Sequence, residues 1–234
     1  MPHSAAESST GGTTPRLTWN DLAGVAPALR LPGRNLSKAD VLLYRLDGRG
    51  IAVKDYSARP LLARQTVGRL MVGRECRAYE AAGDCPGIAR FLGRLGPFAL
   101  ATAWIEAVPL AEMPAGSVHP ALFDRLDAVI EALHARGVAI ADLHHRDVLV
   151  RGEEVHVVDF AAACVLGPRP GALRRRLFAR LAAQDRLAAA RMRARFTGGS
   201  ESEALSRIDP TAVRLWGAGR RVKEAWDRLR GRRA

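Results

Sequence analysis

The sequence contains little cysteine and no long apolar run. Its 234 residues include only Cys76, Cys85 and Cys164, whose spacing matches neither a metal site nor a disulfide framework. The best apolar stretch, residues 97–105, ends at Glu106, well short of the roughly 18 residues that a membrane-spanning helix requires. The first residues lack the apolar segment of a signal peptide. We therefore expect a protein in the reducing cytoplasm, without structural disulfides.

Lysine is also scarce, although basic residues are abundant. Only Lys38, Lys54 and Lys223 are lysines among the 36 basic residues. Since nearly all basic residues are arginine, a lysine within a predicted strand, such as Lys54, is a candidate functional residue.

The formal net charge of +12 is distributed unevenly. Residues 1–163 contain 18 basic and 18 acidic side chains, whereas residues 164–234 contain 18 basic and 6 acidic ones. Three interpretations of this basic third stay open: a solvated helical surface, peripheral contact with an anionic membrane, and nucleic-acid binding. The last is the least supported, because the tract has no interleaved aromatic residues and no known binding module.

Apolar periodicity and turn residues predict an α+β fold. We expect helices at residues 66–82, 120–136, 173–196 and 213–230. We expect strands at residues 41–46, 51–56, 91–95, 98–105, 138–140, 148–150 and 155–158. The predicted helix at 173–196 is long and basic, and its apolar residues lie near one face, namely Leu173, Leu177, Leu181, Ala188 and Met192.

The segment 138–161 contains three aspartates near the ends of predicted strands. Asp142 opens a polar loop between two predicted strands, Asp147 lies five residues later, and Asp159 ends the next strand. Carboxylates at neighbouring strand ends can converge on one point, and Mg²⁺ with phosphate oxygens is the natural occupant. A third carboxylate is then free to orient a hydroxyl nucleophile.

The motif D-L-x-x-x-D-V-L-V at residues 142–150, followed by V-V-D-F at 157–160, resembles the catalytic and metal-binding segments of the protein-kinase-like superfamily. Residues 52–54 resemble the strand with the phosphate-binding lysine, and residues 73–79 resemble the helix with its glutamate partner. Residues 105–110 resemble the hinge. Within the superfamily, the chain is most similar to compact bacterial lipopolysaccharide-core (Kdo/heptose) kinases and to RIO-like atypical kinases.

This resemblance implies a two-lobed fold with a small antiparallel-sheet N-lobe and a reduced, mainly helical C-lobe. The implied organisation is a disordered arm over residues 1–18, an N-lobe over 19–106 and a C-lobe over 107–234.

The resemblance also implies ATP and Mg²⁺ as cofactors and a role for each site residue. Lys54 would bind the α- and β-phosphates and be held by Glu75, with Glu80 as the competing partner. Asp147 and Asp159 would hold the metal, and Asp142 would be the catalytic base.

The remaining nucleotide contacts are expected at two segments. Glu106 and Val108 lie in the implied hinge. No glycine-rich motif precedes Lys54, so residues 33–39, with Ser37 and Lys38, take the position of the phosphate loop.

The implied activity is transfer of a γ-phosphoryl group to a hydroxyl acceptor, either a glycolipid sugar of the lipopolysaccharide core or a protein Ser/Thr. The alternatives are a catalytically silent pseudokinase, favoured by the missing glycine-rich loop and by aspartate at position 147, and a basic nucleic-acid-binding adaptor.

Overall fold

The computed structural model describes residues 16–34 and 38–200. Ser37, most of the predicted N-terminal arm and the predicted helix at residues 213–230 lie outside the described residues. The predicted α+β class is confirmed, since the described chain combines an antiparallel five-stranded sheet with helices and smaller sheets.

The main sheet has the strand order β1-β2-β3-β5-β4, with every neighbouring pair antiparallel. Its strands are β1 (Leu29–Leu31), β2 (Asp40–Leu46), β3 (Arg49–Asp55), β4 (Phe91–Arg94) and β5 (Ala99–Ala103). Asp47 and Gly48 join β2 to β3, and both have positive φ, as the tight turns of two-residue hairpins require. The register places Lys54 opposite Val41 on one side and Leu100 on the other.

One helical segment packs against this sheet. It begins with α1 (Leu61–Ala63), passes through a π-helical turn (Arg64–Gly68) and continues as α2 (Arg69–Ala82). The segment starts earlier than the sequence predicts. It ends where Gly83 adopts a positive φ, a conformation that glycine permits at helix ends.

The second half of the described chain is built on two helices, α3 (Pro120–Ala135) and α4 (Ala172–Thr197). Short strands connect and flank them: β6 (Val108–Pro109), β7 (Val138–Ala139), β8 (Val148–Arg151), β9 (Glu154–Val157) and β10 (Cys164–Val165). β6, β8 and β9 form one sheet, and β7 pairs with β10. The large apolar core joins α2 to α3, α4 and these strands.

The exposure of α4 differs between its two ends. Leu187, Met192 and Phe196 are buried against the rest of the protein, whereas Leu173 and Leu177 are 82% and 50% exposed. The apolar face predicted for this helix is therefore not buried at its N-terminal end. Among the described residues, no helix is long and apolar enough to cross a membrane.

Candidate active site

A buried ion cluster joins the sheet to α2. The Nζ of Lys54, on β3, lies 2.5 Å from Oε1 of Glu75, on α2, and 3.3 Å from Oδ1 of Asp159. Glu75 is only 1% exposed. Because an unpaired charge at the depth of Glu75 would be very costly, this carboxylate requires the ammonium of Lys54, whereas Lys54 and Asp159 are partly exposed. The predicted pairing of Lys54 with Glu75 is therefore present, while the competitor Glu80 forms an ion pair with Arg16 instead.

The cluster determines which of its members are charged. Burial lowers the pKa of Lys54, but the carboxylates of Glu75 and Asp159 outweigh it and raise the pKa overall. The ammonium of Lys54 is the main cause that lowers the pKa of Asp159, with a further contribution from Lys38. Lys54 is thus an ammonium and Asp159 a carboxylate at neutral pH.

The backbone after β9 holds Asp159 in place. Asp159 has a φ of 72°, a left-handed conformation that aspartate tolerates better than most residues. Its Oδ1 accepts a hydrogen bond from the backbone N–H of Ala161 at 3.2 Å. The N–H of Phe160 donates to Oε1 of Glu75 at 3.3 Å, and the buried ring of Phe160 makes an edge contact with Tyr79. Residues 159–161 are therefore attached to α2 by both polar and apolar contacts.

Asp147 lies beside Asp159. The backbone N–H of Val158 donates to the carbonyl of Asp147 at 2.9 Å, which ties the two acidic segments together. Burial raises the pKa of Asp147 to about 7, and the negative charge of Asp159 adds to this effect. Two oxygen donors of this kind, completed by phosphate oxygens and water, suit Mg²⁺. In residues 16–34 and 38–200, no group of three or more His, Cys, Asp or Glu side chains could hold a metal ion by itself.

Asp142 lies at the open side of the cluster. Its carboxylate is exposed, and Oδ1 is 3.5 Å from Nε2 of His144. The preceding residue, Ala141, has a φ of 70°, which is an unfavourable conformation for alanine. The loop that presents Asp142 must therefore be held by other contacts.

Asp185 provides those contacts. It lies on α4, is 1% exposed, and accepts hydrogen bonds from the backbone N–H groups of Ile140 and Ala141, each at 2.8 Å. Nε2 of His134 lies 2.9 Å from the same carboxylate. Asp185 thus anchors the backbone directly before Asp142, and we call this cluster the loop anchor.

Another buried carboxylate, that of Asp40, holds the two sides of the β1–β2 connection. Asp40 is 4% exposed and accepts hydrogen bonds from the N–H of Gly33 at 2.9 Å, from Arg30 at 2.6 Å and from Arg59. Arg59 also donates to the carbonyl of Lys38 at 3.0 Å. Both sides of the β1–β2 connection are therefore fixed to one buried charge.

This arrangement directs Lys38 toward the ion cluster. The Nζ of Lys38 lies 3.2 Å from Oδ2 of Asp159. Asp159 is therefore contacted by two lysines, Lys38 from the β1–β2 connection and Lys54 from β3.

Two cavities meet at the ion cluster, and Val41, Lys54 and Asp159 line both of them. The smaller, of about 320 Å³, is also lined by Asp142 and Glu75. The larger, of about 550 Å³, has mainly apolar walls: Leu31, Val41, Ala52, Ala103, Trp104, Ile105, Val108, Leu149 and Val158. The two form a cleft with one apolar and one charged end.

The two predicted hinge residues are placed differently. Val108 lines the apolar cavity and pairs with Val150 across β6 and β8. The carboxylate of Glu106 binds Arg45 at 2.5 Å, and Glu106 is not among the residues that line either cavity.

The sequence motifs predict the charged residues of the cleft but not their buried supports, which are Asp185, Asp40 and Arg59. The sequence contained a signal for Asp185, which lies four residues after Leu181 and seven before Met192, on the predicted apolar face of an arginine-rich helix. An acidic residue at such a position is rare unless its charge is paired.

No family model matches this chain. A search of curated proteins likewise finds no match.

Proposed function

We propose that this protein is an ATP-dependent phosphotransferase of the protein-kinase-like type, with ATP and Mg²⁺ as cofactors and a hydroxyl as acceptor. The observation that carries the proposal is the ion cluster of Lys54, Glu75 and Asp159 at the point where an apolar and a charged cavity meet. The proposal is also supported by the order of the elements along the chain, since an antiparallel sheet in the first half and two long helices in the second half fit a two-lobed arrangement.

The cleft suits the shape and charge of a nucleoside triphosphate. A purine ring is planar and largely apolar, which fits the wall formed by Ala52, Trp104 and Val108. The phosphates would then reach the ammonium of Lys54, which is fixed by Glu75, and that of Lys38. Asp147 and Asp159 would hold Mg²⁺, which when bound neutralises phosphate charge and orients the γ-phosphoryl group.

Asp142 would act on the acceptor. Its exposed carboxylate lines the charged end of the cleft, where it can orient a hydroxyl and accept its proton. The acceptor oxygen forms a bond to the γ-phosphorus, the bond from that phosphorus to the bridging oxygen breaks, and ADP leaves with the electron pair. Such a transfer depends mainly on positioning and charge stabilisation.

For the acceptor, we favour a sugar hydroxyl of a lipopolysaccharide-core glycolipid over a protein Ser/Thr. The preference rests on the sequence resemblance and on the basic C-terminal third.

The decisive test is transfer of label from [γ-³²P]ATP to a cell extract, with products separated into lipid, protein and nucleic-acid fractions. We expect Mg²⁺-dependent labelling of the lipid fraction, abolished by Lys54→Ala and by Asp159→Ala. Asp142→Asn should lower the rate about 10²- to 10⁴-fold while nucleotide still binds.

Glu75 and Glu80 offer a matched pair on α2. Glu75→Gln should impair transfer, whereas Glu80→Gln, which removes an exposed charge on the same helix, should not. Labelling of protein would indicate the Ser/Thr alternative. ATP binding by calorimetry without transfer to any fraction would contradict the proposed activity and favour the pseudokinase.

A further inference from the structure

A groove of about 670 Å³ lies between α2 and α4, outside the nucleotide cleft. Arg74 and Arg77 line it from α2, and Arg174 lines it from α4. The groove borders the charged cavity of the cleft, because Ala162 lines both.

The arginines of this groove are not neutralised. Arg77 donates to the carbonyl of Gly73 at 3.0 Å, and Arg174 donates to the carbonyl of Val165 at 3.0 Å. Within the described part of the chain, no carboxylate pairs with either of them or with Arg74, and no Asp or Glu lines the groove. The groove is therefore complementary to an anionic partner.

Exposed leucines accompany the arginines. Leu173 is 82% and Leu177 is 50% exposed, and both line the groove. Leu70, 52% exposed, lies four residues before Arg74 and seven before Arg77, so helical spacing places it on the same face of α2. Every residue from 172 to 177 is exposed, so the start of α4 presents both its leucines and its arginines to solvent.

We propose that this groove and the exposed start of α4 form a docking surface for anionic lipid bilayers. Arginine beside exposed leucine is the pattern of interfacial helices, since the guanidinium groups meet lipid phosphates while the leucines enter the acyl boundary. The neighbouring sequence strengthens the attraction, because residues 164–180 contain five arginines and no acidic residue. A bilayer is favoured over an acidic peptide because exposed leucines, which the acyl boundary of a bilayer accepts, accompany the arginines.

This surface would place the cleft beside the membrane. The groove and the cavity that Asp142 lines share Ala162, so lipid headgroups bound in the groove would lie next to the cavity of the candidate base. Docking itself requires no nucleotide and no transfer, so it is tested independently of the proposed activity.

Co-sedimentation of the full chain with vesicles tests the proposal. We expect binding to vesicles of phosphatidylcholine mixed with phosphatidylglycerol, none to phosphatidylcholine alone, and weaker binding as salt is raised. Arg74→Gln/Arg77→Gln should weaken binding about 30-fold, because each arginine near an anionic surface contributes a factor of about five and the two factors multiply. Leu173→Gln should weaken binding without changing its salt dependence, because it removes apolar area and no charge.

The matched control is Arg49→Gln/Arg90→Gln, which removes the same charge from exposed positions outside the groove. It should bind vesicles within about twofold of the wild type. Circular dichroism of each variant should show an unchanged fold, because none of the substituted side chains is buried. Equal losses in both double variants, or wild-type binding to an acidic peptide but not to anionic vesicles, would overturn the proposal.

Discussion

The loop anchor offers a sharp test of how the cleft is held together. Asp185 receives two backbone N–H groups, those of Ile140 and Ala141, at 2.8 Å, and lies 2.9 Å from His134. Asp185→Ala removes the acceptor and leaves these donors without partners in a region where Ile140 is fully buried. Each buried donor left without a partner costs about 1–3 kcal/mol.

We therefore expect Asp185→Ala to lower the free energy of unfolding by about 4 kcal/mol. This is a large part of the roughly 5–15 kcal/mol that stabilises a typical domain. Asp185→Asn retains one acceptor oxygen, so its cost should be about half as large. Urea denaturation followed by circular dichroism measures both values.

The control is Asp124→Ala on α3, where an exposed carboxylate binds Arg193 at 2.7 Å. An exposed ion pair contributes less than about 1 kcal/mol, so this variant should unfold nearly as the wild type does. Hydrogen exchange gives an independent readout, because the amides of Ile140 and Ala141 should lose protection in Asp185→Ala. If Asp185→Ala stays within about 1 kcal/mol of the wild type, the loop is held by other contacts and the reasoning fails.

Three further outcomes are expected. Because the pKa of Asp147 is raised to about 7, the folded protein binds this proton more tightly than the unfolded chain does. The free energy of unfolding should then fall as pH rises toward 7. Urea titrations at several pH values should show a smaller decrease in Asp147→Asn than in the wild type. Gly33→Ala should raise the KM for ATP in a transfer assay with little change in kcat, because a Cβ there overlaps the carbonyl of Lys38 and lies 2.5 Å from Arg59. Gly73→Ala, on the open face of α2, should raise the unfolding free energy by about 0.5–1 kcal/mol, and an unchanged or lower value would contradict this.

Local pattern was sufficient for the features that depend on neighbouring residues. The amphipathic segment at 120–136 is observed as α3 (Pro120–Ala135), and the strands predicted at 41–46 and 51–56 are observed as β2 and β3, with β3 beginning two residues earlier. Helical and strand periodicity are properties of a short window, so they are visible without knowledge of the fold. The apolar face predicted for α4 is exposed at the start of this helix, and no local signal reports that.

The supports of the cleft could not be predicted from local pattern. Asp40 and Arg59 are 19 residues apart, and Asp185 lies 45 residues after Ile140. Whether a carboxylate is a solvated surface group or a buried anchor depends on which distant elements enclose it. Composition and spacing do not contain that information.

The sequence by itself determined the α+β class, the placement of most helices and strands, and the set of charged residues that compose the ion cluster. Only the tertiary structure decided that Lys54 binds Glu75 rather than Glu80 and that Asp185 anchors the loop before Asp142. It also decided that the leucines at the start of α4 remain exposed beside unpaired arginines. The reason is physical: propensity and periodicity act over a few residues, whereas burial and charge pairing depend on contacts between segments distant in the chain.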